Sequence, residues 1–324
     1  MQILLTGAGG LLGRAIARQL VDRGHLVRAL VRTPQPPLDA LGVEQWEGTT
    51  ESLDTVIAIA NGCDAIVHVA GNADPLAAIE ACYEANVAAT DVVLAAAELA
   101  GVRRLVFTSC ASVVVGVHDI NGGGETLPYP PRWPAAYPHA KALAEQRVLA
   151  ANGEALATVA LRPGLLWAPE EARVTPRLID LARRGRLRLT ASPANRIDCC
   201  HVENAALAHA LAVERLEPDA AIAGRSYFVS DGEPISIEAL LAALLRAHGL
   251  ALPTRRLSPQ LAHWLAASAG LRRRLPGGRQ PLLEPFLLNL VNRNAWFNIA
   301  AARRDLGYAP QASTRDALAR LARR

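Results

Sequence analysis

The chain has 324 residues, 51% of them hydrophobic and 20% charged, which is enough apolar material for one large domain or two interdependent ones. No apolar run reaches the roughly 18 residues of a membrane span, and no leader-like segment precedes Gln2, so a cytoplasmic protein is expected. The net charge of +4 comes from scattered arginines with few aromatic residues, which argues against nucleic-acid binding. The five cysteines form no CxxC pair, so neither a disulfide framework nor a metal site is predicted.

A glycine-rich turn follows the first predicted strand, Gln2 to Thr6, and opens an amphipathic helix. Its spacing is Gly-x-x-Gly-x-x-Gly. Gly7 permits the tight turn, and Gly10 lets the backbone approach a pyrophosphate. Gly13 lets the helix pack closely on the preceding strand. Free N–H groups and the helix dipole at such a corner bind phosphates. The pattern predicts a dinucleotide site.

The second predicted strand, His25 to Val31, ends where an acidic residue would bind the ribose 2′-hydroxyl of NAD. Val31 occupies that place and Arg32 follows it. A guanidinium suits a 2′-phosphate. We therefore expect NADP(H) rather than NAD(H), the alternative being that Arg32 only faces solvent.

Two further strands carry small and polar residues to the same edge of the sheet. Asp64 to Gly71 ends in Ala70 and Gly71, which allow close contact with a flat cofactor, and Asn86 is predicted to begin a helix that runs to about Ala100. Leu105 to Cys110 is predicted as the fifth strand. It brings four side chains to the carboxyl edge, where ligands bind in open α/β sheets: Thr108, Ser109, Cys110 and Ser112.

The pair Tyr137 and Lys141 stands out because Lys141 is the only lysine, whereas the other 33 of the 34 basic residues are arginine. An ammonium is a compact charge that fits beside a phenol and a sugar hydroxyl, whereas a guanidinium is planar and bulky. At positions i and i+4 the two side chains share a helix face, so the ammonium lowers the phenol pKa from about 10. Such a phenol exchanges protons near neutral pH.

The alternation of strands and amphipathic helices through residue 165 predicts an α/β fold, a doubly wound parallel sheet of the Rossmann type. Leu156 to Leu161 is the sixth strand, with later strands near Asn195 to Cys199 and Ser226 to Val229. Residues 121–124 and 128–134 are predicted to form a mobile loop over the active site. We expect an NADP-binding domain at 1–165, with 195–232 returning to its sheet, and a smaller, mostly helical substrate domain at 166–194 and 233–324.

The second half is apolar and helical from Glu233 onward. Residues 258–294 combine Leu261, Trp264 and Leu265 with Arg272 to Arg274 and an apolar run from Leu282 to Val291. Three interpretations stay open. The segment is a lid over an acyl chain with arginines binding a carboxylate, an amphipathic patch in peripheral contact with a membrane, or an ordinary helical cap.

These motifs together resemble the extended short-chain dehydrogenase/reductase superfamily, and within it the branch similar to 3β-hydroxysteroid dehydrogenases. The resemblance covers essentially the whole chain. It rests on Thr6 to Gly13, His68 to Gly71, Asn86-Val87, Phe107 to Ser109, Tyr137 with Lys141, Arg162-Pro163, His201 to Asn204 and Leu306 to Pro310. More narrowly, Leu156 to Trp167, Gly185 to Arg188 and Tyr227 to Pro234 resemble bacterial reductases of long-chain olefin biosynthesis, which reduce 2-alkyl-3-oxoalkanoic acids with NADPH.

The resemblance implies roles for individual residues. Tyr137 exchanges the proton, Lys141 holds the nicotinamide ribose and lowers the tyrosine pKa, and the backbone after Pro163 orients the carboxamide. Homodimers are common in the family. The implied cofactor contacts are Gly7, Gly9, Gly10, Leu11, Leu12, Gly13, Arg32, Ala70, Gly71, Asn86, Thr108, Tyr137, Lys141, Pro163 and Leu165.

Two positions depart from the family pattern. The usual catalytic serine aligns with Cys110, and a thiol is a weak donor. If the strand continued, Ser112 would point to the same side and supply the donor; otherwise the oxyanion partner is weaker or the register differs by one residue. Thr49 stands where the family often has an aspartate that contacts adenine.

The sequence therefore predicts an NADP(H)-dependent oxidoreductase acting on a small hydrophobic ketone or secondary alcohol, such as an acyl-chain-bearing 3-oxo acid or a steroid. A nucleotide-sugar epimerase or dehydratase shares the motifs of the first half, but the leucine-rich, aromatic-poor second half disfavours it. A catalytically inert cofactor sensor or scaffold is the non-enzymatic alternative. The retained Tyr137 and Lys141 argue against it.

Overall fold

The computed structural model describes residues 1–74, 77–171, 174–189, 195–258, 261, 264 and 293–321. The strands within these ranges are β1 Gln2–Thr6, β2 Leu26–Val31, β3 Glu44–Glu47, β4 Ala65–His68, β5 Arg104–Thr108, β6 Ile120–Gly123, β7 Ala157–Pro163, β8 Leu165–Trp167, β9 Arg196–Ile197, β10 Cys199–His201, β11 Arg225–Val229, β12 Ile235–Ser236 and β13 Ala295–Phe297.

The helices in the same ranges are α1 Leu11–Asp22, α2 Pro36–Asp39, α3 Leu53–Ala60, α4 Ile79–Tyr83, α5 Ala89–Leu99, α6 Ala136–Ala150, α7 Thr175–Arg183, α8 Val202–Arg215, α9 Ile237–Arg246, α10 Ala300–Leu306 and α11 Thr314–Leu321. One π-helical turn, Glu84–Ala88, joins α4 to α5, and a 3₁₀ turn, Ala111–Val114, follows β5. No helix in the described part of the chain is long and apolar enough to cross a membrane.

Seven parallel strands form the main sheet in the order β11-β7-β5-β4-β1-β2-β3. The order reverses between β1 and β4, and ligands bind at such a switch point. Helices cover both faces: α1 packs with α8 on one side and α3 with α5 on the other. Because both faces are covered, the central strands are buried and mostly apolar rather than alternating. The predicted doubly wound fold is confirmed.

Two smaller sheets lie beside the main one. The first has the order β12-β9-β13-β6 and the second pairs β10 with β8. The prediction of a mobile loop was wrong for residues 121–123, which form most of β6 and pair with β13. Glycine is needed there for space: a Cβ on Gly122 would lie 2.8 Å from the Trp296 ring, and one on Gly123 would lie 2.4 Å from the Leu127 side chain.

Two further local predictions were wrong. Asn86 does not begin a helix, because helical structure begins at Ile79 and Asn86 lies in the π-turn between α4 and α5. The fifth strand ends at Thr108, so Ser112 follows on a 3₁₀ turn rather than on a continued strand. Both errors concern turns whose geometry depends on distant packing rather than on local pattern.

Candidate active site

The glycine-rich turn joins β1 to α1 at the switch point. Gly7 has φ +70°, and a Cβ there would lie 2.6 Å from the Ala70 nitrogen. A Cβ on Gly13 would lie 2.1 Å from the Gly7 oxygen. The Gly10 N–H closes the turn by donating to the Gly7 oxygen at 3.0 Å. The N–H groups of Gly9, Leu11 and Leu12 remain at the start of α1 as a cradle that fits a pyrophosphate.

The edge of the neighbouring strand carries Arg32, the first residue after β2. Val31 before it is buried, whereas Arg32 is exposed and has no hydrogen-bond or ion-pair partner among the described residues. Parallel pairing of β1 with β2 brings Arg32 to the same edge as the glycine-rich turn. Its charge is therefore free for a ligand at that edge.

Gly71, Asn86 and Lys141 meet at one point. A Cβ on Gly71 would lie 2.6 Å from Asn86 Oδ1 and 4.0 Å from Lys141 Nζ. The Asn86 amide donates to the carbonyl oxygens of Asn72 (3.0 Å) and Cys82 (2.8 Å), but its buried Oδ1 has no partner among the described residues. An unsatisfied buried acceptor is costly. Together with the glycine cradle it fits a nicotinamide dinucleotide lying across the sheet edge.

Lys141 lies on α6, one turn after Tyr137, and only 4% of it is exposed. Its Nζ stands 4.1 Å from the centroid of the Phe107 ring. Burial lowers the pKa of Lys141 to about 8. Tyr137 is half-buried at the start of the same helix, so the two predicted catalytic side chains are brought together.

Cys110 and Ser112 are also brought together, although the strand between them does not continue. Cys110 Sγ and Ser112 Oγ lie 2.9 Å apart. Burial raises the pKa of the Cys110 thiol, and hydrogen bonds with Ser112 and Tyr137 oppose that rise. The thiol thus contacts both the serine and the tyrosine.

Other predicted cofactor residues line the same edge. Thr108 ends β5, and Pro163 is the buried last residue of β7. Leu165 begins β8 and donates its N–H to the Asp198 oxygen at 2.9 Å. Ala70 packs against Gly7. The predicted residues Leu265, Arg272 to Arg274 and Leu282 to Val291 lie outside the described residues, whereas Leu261 and Trp264 are exposed.

A buried histidine, to which the sequence gave no role, supports the end of β4. Thr6 Oγ1 accepts from the N–H groups of Val69 and Ala70, both at 3.1 Å, and so donates to His68 Nδ1 at 2.7 Å. His68 Nε2 then donates to Thr90 Oγ1 at 3.1 Å, and the Thr90 hydroxyl donates to the backbone carbonyl oxygen of Asn86. Burial lowers the pKa of His68 to about 3, which keeps the ring neutral.

A second buried histidine supports the end of β5. His209, on α8, donates from Nδ1 to the Ala205 oxygen at 2.7 Å, so its Nε2 accepts from Thr108 Oγ1 at 2.7 Å. Burial lowers the pKa of His209 to about 4. His68 was noted only as part of a motif, and no sequence signal linked His209 to Thr108, which lies 101 residues away.

Comparison with known proteins gives consistent results. A family model described as the 3-beta hydroxysteroid dehydrogenase/isomerase family matches residues 4–259. A 2-alkyl-3-oxoalkanoate reductase of Stenotrophomonas maltophilia is 42% identical over 99% of this chain and 98% of its own. A 3 beta-hydroxysteroid dehydrogenase/Delta 5-->4-isomerase of Mycobacterium tuberculosis is 33% identical over 98% of this chain and 88% of its own.

Solved structures match over the whole chain as well. The crystal structure of gox2253 superimposes with a TM-score of 0.78 at 27% identity, covering 98% of this chain and 95% of its own. A Thermus thermophilus UDP-glucose 4-epimerase in complex with NAD gives a TM-score of 0.73 at 22% identity, covering 100% and 98%. The second likeness shows the shared fold.

Proposed function

Because the chain belongs to the 3-beta hydroxysteroid dehydrogenase/isomerase family and is an oxidoreductase of the short-chain dehydrogenase/reductase type, we propose that it reduces a 2-alkyl-3-oxoalkanoic acid to the 3-hydroxy acid with NADPH. The observation that carries the proposal is the 42% identity, along nearly the full length of both chains, to a reductase of that name. A second relative of the same name, from Shewanella oneidensis, is 33% identical over 98% of this chain.

A nicotinamide dinucleotide is the cofactor, and bound NADPH supplies the hydride that reaches the substrate C3. Tyr137 gives its hydroxyl proton to the ketone oxygen, which becomes the alcohol, and takes a proton back from solvent. The Lys141 ammonium stabilises the phenolate and holds the nicotinamide ribose. The backbone after Pro163 orients the carboxamide, and the glycine-rich turn holds the pyrophosphate.

Cys110 and Ser112 share the place of the third catalytic residue. The 2.9 Å contact between them supports a division of roles in which Ser112 donates to the ketone oxygen while the thiol packs against Tyr137. Replacing Ser112 by alanine should then lower kcat by about 100-fold, the usual effect of losing one oxyanion donor. Cys110→Ala should cost much less. If neither change lowers turnover, both assignments are wrong.

Arg32 supports NADPH over NADH because its exposed guanidinium lies at the edge where a 2′-phosphate would sit. Arg32→Ala should weaken NADPH binding by about tenfold, a free-energy loss of about 1.4 kcal/mol, and leave NADH binding unchanged. Equal dissociation constants of the native protein for the two cofactors would contradict this preference.

The reaction is tested by following NADPH consumption with a long-chain 2-alkyl-3-oxo acid, with Tyr137→Phe as the matched control. We expect a rate in the native protein alone. A native protein that binds NADPH but gives no rate would exclude this substrate. A 3β-hydroxysteroid with NADP⁺ or NAD⁺ is the second candidate, favoured by the 33% identical mycobacterial relative, and is assayed in parallel.

We also propose a domain organisation, a cellular location and an oligomeric state for the protein. Residues 166–194 and 233–324 form the substrate domain on the cofactor domain of 1–165 with 195–232, and the substrate is a small hydrophobic molecule. The protein works in the cytoplasm as a homodimer, in peripheral contact with the membrane that holds its substrate. Sedimentation measures the dimer, and liposome flotation measures the membrane contact.

A further inference from the structure

An ion pair is buried one helical turn beyond Lys141 on α6. Glu145 on α6 is 0% exposed and Arg162 on β7 is 3% exposed. Arg162 Nε donates to both carboxylate oxygens, at 3.1 and 3.0 Å, and its Nη2 donates to Oε1 at 2.6 Å. The hydroxyl of Tyr129 donates to the same Oε1 at 2.6 Å. One carboxylate therefore ties a helix, a strand and the segment before α6 together.

The pair lies at the junction of the two elements that carry the active site. Glu145 follows Lys141 by four residues, so the two share one face of α6 with Cβ atoms about 5–6 Å apart. Arg162 immediately precedes Pro163 at the end of β7. A shift of the ion pair would move Lys141 relative to Pro163. It would therefore displace the residue proposed to hold the nicotinamide ribose from the backbone proposed to orient the carboxamide.

Stability alone does not account for this pair. The desolvation of two buried charges usually cancels their attraction, so an apolar pair of similar volume is often as stable. The Arg162 guanidinium is also held by aromatic rings: it lies 5.7 Å from the centroid of Tyr129 and 5.2 Å from that of Phe228. A buried carboxylate at this position therefore calls for a second role.

The charge balance around Lys141 supplies that role. Several titratable groups interact with the ammonium: Cys82 on α4, Cys110 after β5, Glu145 on α6, His68 on β4 and His209 on α8. Tyr137 lies one turn away on α6, and the charged Arg162 on β7 is paired with Glu145.

Most of these groups are neutral when Lys141 titrates. Burial raises the pKa of both the Cys82 and Cys110 thiols, so they remain protonated near pH 8, where Lys141 loses its proton. The two histidines are buried as neutral rings. Glu145 is thus the carboxylate that opposes the desolvation of the ammonium within the described residues.

We propose that Glu145 is a positioning residue for the reduction: its carboxylate keeps Lys141 charged, and its pairing with Arg162 fixes α6 against the end of β7. The inference rests on the proposed function, since a charged Lys141 is needed there to stabilise the Tyr137 phenolate. Tyr129 extends the same contact to the segment before α6.

The test uses the fact that Lys141 is the only lysine. Protein made with ¹³Cε-labelled lysine, and with no lysine in any tag, gives a single side-chain signal, and its chemical shift reports the titration of Lys141 directly. The measurement needs neither cofactor nor substrate. If the proposed substrate is wrong, the native protein still gives this titration, so failure of the function and failure of the inference are distinguished.

Glu145→Gln is the simple variant, but it leaves Arg162 buried without a counter-charge and is expected to lose much stability. The decisive variant is therefore Glu145→Leu combined with Arg162→Met, which removes both charges and keeps an apolar volume. We expect the Lys141 titration midpoint to fall, but by less than the roughly 1–3 pH units that follow the loss of a lone opposite charge, because the Arg162 charge is removed as well.

Tyr129→Phe is the matched control, because it removes a hydrogen bond to the carboxylate and leaves the ion pair in place. Its Lys141 midpoint should equal that of the native protein. Equal midpoints in the native protein and the double variant would overturn the proposal.

The pH profile of kcat gives a second readout. Because Lys141 must be charged, kcat falls as pH rises through the Lys141 pKa, and this alkaline limb should move to lower pH in the double variant. A purely structural role would lower kcat equally at all pH values. An unmoved limb would therefore also overturn the proposal.

Discussion

Replacing His209 by glutamine tests how the buried histidines contribute to stability. In the native protein His209 is buried, donates to the Ala205 oxygen and accepts from Thr108. Glutamine offers an amide NH2 donor group and a carbonyl acceptor of similar reach but does not titrate. The substitution should therefore remove the pH dependence that His209 causes while preserving much of the packing.

The sign and size follow from the pKa of His209. Burial lowers it to about 4 in the folded protein, whereas an unfolded histidine titrates near 6.5. As pH falls, the unfolded chain binds the proton first, so stability from the neutral ring is complete above about pH 6.5 and is lost toward pH 4. Between about pH 7 and pH 5 the loss is about 2 kcal/mol, at 1.36 kcal/mol per pH unit.

The native protein alone cannot reveal this loss because Asp198 acts in the opposite direction. Burial raises the pKa of Asp198 to about 7. Its charged form is therefore disfavoured in the folded state, and the protein gains stability as pH falls from 7 toward the unfolded value. Only the difference between the native protein and a variant isolates His209, because the contribution of Asp198 then cancels.

The assay is urea unfolding of the native protein, His209→Gln and the control His118→Gln at about pH 7 and about pH 5. His118 is exposed, so its variant should follow the native protein at both pH values. The difference in free energy of unfolding between the native protein and His209→Gln should be about 2 kcal/mol smaller at the lower pH. A gap that stays constant would refute the argument that the buried ring is neutral.

Three further changes test other contacts. Gly13→Ala would place a Cβ 2.1 Å from a backbone oxygen of the turn. Dinucleotide binding, measured by fluorescence titration, should therefore weaken at least about tenfold. The control Gly153→Ala has open space around the new Cβ and should bind the dinucleotide as the native protein does. Asn204→Ala removes four hydrogen bonds to residues 231, 311 and 312 and should cost about 3 kcal/mol in urea unfolding; a loss below about 0.5 kcal/mol would contradict this. Phe107→Leu removes the ring beneath Lys141 and should lower the lysine titration midpoint by about 0.5–1 pH unit. An unchanged midpoint would show that the ring does not stabilise the charged form of Lys141.

The sequence was sufficient where local pattern determines structure. The apolar run before Gly7 and the glycine spacing after it predicted the strand, the turn and α1, because each depends on neighbours a few residues away. The prediction that Tyr137 and Lys141 lie side by side rests on the same reason, because residues four apart on one helix are adjacent in space whatever the tertiary fold. The predicted parallel sheet also placed the other candidate site residues at its carboxyl edge.

The sequence was insufficient where a contact joins distant segments. His68 binds Thr6 across 62 residues, and Thr108 binds His209 across 101, and no periodicity encodes either bond. Glycines at 122 and 123 suggested a mobile loop, but the space they leave is filled by Trp296 and Leu127. The π-turn that carries Asn86 likewise depends on packing that the helical pattern does not contain.

Within the described part of the chain, Arg162 and Lys141 are the buried basic residues, and each position has its own physical requirements. Arg162 binds Glu145 through Nε and Nη2 and lies near two aromatic rings, contacts that require a planar guanidinium with several donors. The position of Lys141 has different requirements, because its charge must fit beside Gly71 and above the Phe107 ring. Lys141→Arg should therefore abolish turnover even though it conserves the charge, whereas Arg162→Lys should mainly lower stability.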